Sequence, residues 1–282
     1  VMAIANRALS APLNIWGDHS DVMAERDSGW IQVFTENGQE VFDHVLCAFK
    51  IAEDKRVMLP VMVNLDGFTL SHVIEPIIVL DQDEVKRFLP DYTPVFRLDP
   101  DNPFTMGPVG VPEIYTEAKK QQDNTLRSSE KVIVNVWKEF GDLFGRYYSP
   151  IESYRTEDSE ILLLTLGSIG ETAMNAVDKM RKEGKSVGLL KMRLWRPFPF
   201  EEIRKTVKNA ETLAVVDRCL SFGGAGGPVF SEMRSALYGR RRPRVVGFVA
   251  GLGGRDVRVS DFETMVERAR EVKEFEMVGV RE

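Results

Sequence analysis

The chain has 282 residues, 43% of them hydrophobic and 28% charged, and carries a formal net charge of −6 at pH 7. That is apolar material for one large or two ordinary cores, an acidic balance that argues against a nucleic-acid partner, and no apolar run of the length that crosses a bilayer. Its two cysteines, Cys47 and Cys219, lie far apart with no Cys-x-x-Cys, so this chain alone builds neither an iron–sulfur nor a zinc site, and such sparse cysteine use fits a reducing cytoplasm.

Val1 to Ala5 reads as a buried strand, and a strand at the first residue suggests that an upstream portion is missing from the sequence. Asp18 to Ser28 reads as a helix and Trp30 to Phe34 as a short strand. Gln39 to Asp54 has the period of an amphipathic helix, with Val41, Val45, Ala48, Phe49 and Ala52 on one stripe. Val57 to Val63 reads as a strand. Pro60 inside it requires an edge position, a bulge or a late start. Six prolines between Pro90 and Pro112 mark the middle, about 81–150, as a long surface linker of the kind that serves function or an interface, followed by a helix from Ile114 to Phe144. The last part alternates: strands at Ile161–Leu166, Val187–Leu194, Leu213–Val216 and Val245–Val249, with helices at Glu171–Lys182, Phe200–Val207, Pro228–Tyr238 and Phe262–Val272. Such alternation predicts a doubly wound parallel sheet with functional loops at the strand carboxyl ends.

Several loops carry residues of chemical interest. Arg7 follows the first strand, where a guanidinium can take a carboxylate with paired hydrogen bonds; a surface ion-pair arginine is the competing reading. Asp18, His19 and Asp21 could be metal ligands or acid–base groups, or Asp18 or Ser20 could simply cap a helix. The three histidines, His19, His44 and His72, are too scattered for a metal site. Gln32, Glu36, Asn37 and Gln39 cluster at a strand-to-helix turn, where capping is the default. The loop Ser221 to Gly227 enters a helix N-terminus and could cradle phosphate, but it lacks the spacing of a dinucleotide or P-loop motif, and close packing weighs more. Gly251 to Asp256 is equally ambiguous. The arginine-rich turn Gly239 to Arg244 reads as solvated, or as a contact for an acidic partner.

Taken in order, Asn6 to Pro12, Ile15 to Asp21, Arg26 to Trp30, Leu65 to Phe68 with Ser71-His72, Leu98 to Pro100, Tyr154 to Asp158, Leu166 to Ser168, Arg196 to Pro199, Ser221 to Gly223 and Gly251 to Asp256 resemble the α subunits of the 2-oxoacid:ferredoxin oxidoreductases, most of all those that use pyruvate. The resemblance covers essentially the whole chain. It implies an α/β fold with part of a thiamine diphosphate pyrimidine-binding domain plus linker in residues 1–125 and a transketolase C-terminal-like, doubly wound domain in 126–282. It further implies the oxidative decarboxylation of pyruvate with coenzyme A to acetyl-CoA and carbon dioxide, reducing ferredoxin, or the reverse. Arg7 matches the family's substrate arginine; no cofactor-binding residue and no metal ligand is carried over. Thiamine diphosphate and Mg2+ would be held mainly with the β subunit and the iron–sulfur clusters by partner subunits, with β, γ and δ subunits and a second copy of the complex as partners. The family's cofactor-activating glutamate and its substrate-touching Thr-Pro turn lie upstream of this stretch. Close alternatives are subunits acting on branched-chain 2-oxoacids or 2-oxoglutarate; from other classes, a non-catalytic nucleotide- or coenzyme-A-binding module, or a scaffold subunit.

Overall fold

A computed structural model describes residues 1–281. The first strand, β1 (Met2–Asn6), is followed by the short helix α1 (Ser20–Ala24) and β2 (Ile31–Phe34). Helix α1 stops well before Ser28 because its last carbonyls go elsewhere. The Arg26 guanidinium bonds the Met23 carbonyl, and Ser28 and Gln32 bond the Glu25 carbonyl. Helix α2 (Gly38–Ala52) is capped by Asn37, whose side chain accepts from the Glu40 amide. Strand β3 (Val61–Asp66) starts immediately after Pro60, where no ladder N–H is needed, and lies between β1 and β2, so of the readings open for Pro60 the late start is the one observed.

The middle holds α3 (Gln82–Phe88), which the sequence reading did not anticipate despite its Asp81/Glu84 capping box. Then comes α4 (Pro112–Phe144), a single unbroken helix of 33 residues, opened by proline and closed by Gly145 at φ 75°. Residues 125 and 126, the expected division, fall inside it. The helix becomes buried after that point, through Val132, Ile133, Val136, Trp137 and Phe140.

The rest comprises β4 (Ile151–Tyr154), β5 (Ile161–Leu166), α5 (Ile169–Lys182), β6 (Val187–Met192), β7 (Leu194–Arg196), α6 (Phe200–Thr206), β8 (Thr212–Asp217), α7 (Pro228–Ala236), β9 (Arg244–Val249), α8 (Val259–Arg268) and β10 (Phe275–Met277). They form a six-stranded sheet in the order β10-β9-β8-β5-β6-β4, parallel throughout except for β4 against β6. The order reverses between β5 and β8, the topological switch point. The single strand expected over Val187–Leu194 divides at Arg193. Strand β7 leaves this sheet and pairs antiparallel with β2, completing the four-stranded sheet β1-β3-β2-β7.

This crossover ties the sheets into one body with layered cores. Alternate residues of each buried strand point to opposite sides. Leu162 and Leu164 of β5 share a core with Val22 of α1 and with Phe34 and Met62 of the smaller sheet. Leu163 faces α5 and α8. Val33, Val61 and Val63 face α2 and α4.

One expected face is right only in part: Ala48 is buried and Val45 and Ala52 pack against the core. Helix α2 buries Glu40, Asp43, His44, Cys47, Ala48 and Ile51, whereas Phe49 is exposed. The apolar period pointed to a neighbouring stripe because the true inner face carries charges paired across the fold: Asp43 with Arg146, and Glu40 with Arg193. Ile51→Ala is therefore expected to lower stability by about 2–5 kcal/mol and Phe49→Ala by much less, measured by denaturant unfolding; comparable losses at both would contradict the rotated face.

Candidate active site

The parallel strands of both sheets end at the same seam, and the loops singled out from the sequence meet there. At its centre is Asp66, the last residue of β3, fully buried. Its carboxylate meets His19 Nε2 at 2.8 Å and Arg218 Nη1 at 2.9 Å, and accepts from the Ser168 amide at 2.7 Å and the Ser168 hydroxyl at 2.6 Å. Burial would raise this carboxyl, but Arg218, His19 and Ser168 outweigh it and hold it well below the usual carboxylate range. Ser168 follows β5 and Arg218 follows β8, so Asp66 plugs the switch-point crevice where such sheets ordinarily take a ligand. Gly167 permits the approach. Its φ is 71°, and a Cβ there would lie 2.7 Å from Asp66 Oδ2 and 3.2 Å from His19 Nε2.

Beside it, β2 runs into Glu36. The Glu36 carboxylate takes Lys191 Nζ at 2.9 Å, while Arg193 bonds Glu40 at 2.6 Å and Glu152 at 2.6 Å. Burial and the neighbouring Glu40 push the Glu36 carboxyl up to about 7, against Arg193 and Lys191. Gln32 does not cap the helix that follows it; its side-chain amide donates to the Glu25 carbonyl at the C-terminal end of α1. Behind this layer His44 is buried between Trp137 and Tyr148, with neither ring nitrogen partnered among the described residues. Burial, then Arg193, lowers its pKa to about 3.

The turn at Asp18–Asp21 caps less than expected and connects more. Helix α1 begins after His19 with no side-chain cap. Asp18 Oδ1 does accept from Ser20, but Asp18 Oδ2 accepts from the Gly253 amide at 3.0 Å, in the loop after β9. Asn14 also reaches that loop, through the Gly253 carbonyl at 3.2 Å. The Gly251 to Asp256 motif is thus part of the seam. The Ser221 to Gly227 loop leads to the N-terminus of α7, whose Val229 and Phe230 amides are engaged by the Asp217 carboxylate at 2.9 and 3.0 Å. Those amides are filled from within the chain.

Arg7 stands apart. It is exposed just past the end of β1, and its guanidinium makes no hydrogen bond or ion pair with any described residue. Its backbone, by contrast, is held: the Arg7 amide donates to Asp21 at 3.0 Å, Ala8 to the Trp16 carbonyl at 3.0 Å and Leu9 to Ser20 Oγ at 2.9 Å. A fixed main chain with an open, permanently charged fork suits capture of a carboxylate. Leu9, Leu13, Ile15 and Trp16, in the loop that follows it, are also exposed. A cleft of about 740 Å³ lies elsewhere, between α4 and the Arg196–Phe200 segment, and mixes Arg26, Arg127 and Arg196 with Asp27, Glu130 and Glu232. Among the described residues no three His, Cys, Asp or Glu side chains are grouped to hold a metal, and both cysteines are free and buried. Arg7 and the Asp18–Asp21 turn were both singled out from the sequence, and the turn lies in the seam. The sequence reading missed the roles of Arg218, Ser168, Lys191 and Arg193, polar residues within or just past strands whose partners are distant in sequence.

Residues 1–138 match a family model described as pyruvate flavodoxin/ferredoxin oxidoreductase, thiamine diphosphate-binding, and residues 159–262 one described as pyruvate:ferredoxin oxidoreductase core domain II. The chain is 46% identical over 268 residues to pyruvate synthase subunit PorA of Methanothermobacter thermautotrophicus, covering 95% of this chain and 69% of that protein. It is 43% identical over 287 residues to the PorA subunit of Methanocaldococcus jannaschii, covering 100% and 73%. It is also 40% identical over 277 residues to ketoisovalerate oxidoreductase subunit VorA of Pyrococcus horikoshii, covering 97% and 70%. The fold is that of a 2-oxoglutarate:ferredoxin oxidoreductase from Magnetococcus marinus, with TM-score 0.61 at 15% identity over 95% of this chain and 48% of that one. A split-gene transketolase shares it at TM-score 0.51 and 14% identity, over 90% and 63%.

Asp66→Asn removes the one anion that both Arg218 and His19 face, and is expected to cost about 3–5 kcal/mol in denaturant unfolding; a loss under about 1 kcal/mol would show that the seam does not depend on it. Glu36 has a folded pKa above its unfolded value of 4.5. Its contribution to stability is present below that value and is lost as pH rises through about 7. Thermal unfolding between pH 5 and 8 should therefore show a downward slope that Glu36→Gln flattens; an unchanged slope would assign it to another group.

Proposed function

The chain belongs to the pyruvate:ferredoxin oxidoreductase family, and from that premise we propose that it acts as the α subunit that presents Arg7 to the 2-oxoacid carboxylate. The observation that carries the reading is the unpaired Arg7 guanidinium on a fixed backbone at the end of β1. The reaction joins pyruvate to coenzyme A, giving acetyl-CoA, carbon dioxide and two electrons for ferredoxin, or runs in reverse to make pyruvate.

The residues of this chain do not form a complete cofactor site. Asp18, Asp21, Glu36 and Asp66 are each engaged by donors of the chain itself, and the α7 amides by Asp217. They therefore do not fit a diphosphate, a magnesium ion or a cluster. These groups are assigned to the β, γ and δ subunits, with residues 1–125 forming part of the surface around the pyrimidine end of thiamine diphosphate and residues 126–282 supporting it. When bound, the cofactor supplies the electron sink for decarboxylation.

What Arg7 itself does follows from charge. Its partner is the group that departs as carbon dioxide, so the ion pair is strongest with intact substrate and fades as negative charge leaves the carboxylate. Such an interaction favours substrate binding more than the transition state.

The partner surface is supported by exposure. Ile74, Ile78, Leu98 and Val109 lie uncovered along 73–111, and the first turns of α4 are exposed, Ile114 and Tyr115 among them. A partly unpacked helix beside so much open apolar surface fits an assembled subunit, in a complex with a second copy of itself, better than an isolated one. No helix among the described residues is long and apolar enough to cross a membrane, and two free, buried cysteines suit a cytoplasmic setting.

In the assembled enzyme, Arg7→Ala should raise the KM for pyruvate by about tenfold to a hundredfold, the loss of a charge-assisted pair, with a smaller effect on kcat. The readout is reduction of a viologen dye under anaerobic conditions. An unchanged KM would remove Arg7 from the substrate site.

A further inference from the structure

We propose that Asp21 is the positioning residue for Arg7, fixing through the main chain where the guanidinium reaches. This rests on the reading of Arg7 given above and deepens it. Both Asp21 oxygens act as acceptors. Oδ2 takes the Arg7 amide at 3.0 Å, and Oδ1 takes the Val22 amide at 2.7 Å and Asn6 Nδ2 at 3.3 Å. Three donors of the chain thus converge on this one carboxylate, two of them from the Asn6-Arg7 segment. One residue earlier, Ser20 Oγ accepts from the Leu9 amide. The turn thus grips the arginine loop at two points.

The same turn is gripped from the other side. The His19 amide donates to the Arg218 carbonyl at 2.9 Å, His19 Nε2 meets Asp66 at 2.8 Å, and Asp18 takes the Gly253 amide at 3.0 Å. Arg7 is therefore referenced to the strand ends of the larger sheet, although its own strand belongs to the smaller one. A flexible side chain on a fixed backbone loses less conformational freedom on binding than one on a mobile loop.

Asparagine at position 21 is the discriminating substitution. Its carboxamide has the same shape but one acceptor oxygen. Whichever way it turns, an NH2 opposes either the Arg7 amide or the Val22 and Asn6 donors. The test uses the assembled oxidoreductase, with pyruvate-dependent viologen reduction measured for Asp21→Asn, Arg7→Ala and the double variant. Asp21→Asn should raise the KM for pyruvate by about tenfold, with little change in kcat or in the KM for coenzyme A. The double variant should bind pyruvate no worse than Arg7→Ala alone, because both changes act through one contact. Ser20→Ala, a milder change, should move the pyruvate KM in the same direction by a smaller factor. If Arg7→Ala raises KM while Asp21→Asn and Ser20→Ala do not, or if the two losses multiply in the double variant, the positioning role is overturned and the Arg7 assignment survives. If Arg7→Ala itself leaves KM unchanged, both fall together.

Discussion

Asp66 is a carboxylate with no access to water, and it is tolerable only because His19, Arg218 and Ser168 all converge on it. Removing a charge from water costs several kcal/mol, and recovering that cost needs complete, well-aligned partners. The partners come from both sheets, so the requirement fixes how the strand ends of one sheet meet those of the other. Glu36 with Lys191, and Asp18 with Gly253, then fall into register on either side. Gly167 follows from the same demand, since a side chain there would occupy the space of the carboxylate and the imidazole.

The elements were largely legible because their cores repeat with the period of their backbone. The alternation of β5, β6, β8 and β9 with α5 to α8 could be read from apolar spacing alone. Errors arose where polarity was buried. The inner face of α2 carries Glu40, Asp43 and His44, and no apolar pattern marks it. Strand β7 looked like the continuation of β6 because Leu194 and Trp195 are as apolar as what precedes them; the change of sheet is set by hydrogen bonds to β2 that only the fold reveals. At the seam, Asp66, Ser168 and Arg218 were visible only as polar residues at or beyond strand ends. Their convergence depends on contacts spanning 102 residues from Asp66 to Ser168.

The seam also explains a division of labour. In an open parallel sheet the switch point is the natural ligand crevice. Here the chain fills that crevice with its own carboxylate, and fills the α7 N-terminus with Asp217. The larger sheet thereby supports the loops of the smaller one, and Arg7, the proposed substrate arm, lies at the exposed edge. An exposed arginine at that edge fits the proposal that other subunits complete the catalytic centre.

The claim that this chain serves a pyruvate-oxidising complex is most directly tested by anaerobic dye reduction with the assembled enzyme. Pyruvate, 2-oxoisovalerate and 2-oxoglutarate would each be supplied with and without coenzyme A. Coenzyme-A-dependent reduction that is fastest with pyruvate is the expected result. Preference for another oxoacid would keep the family and change the substrate, and no reduction with any of them, from a complex loaded with thiamine diphosphate and clusters, would contradict the account.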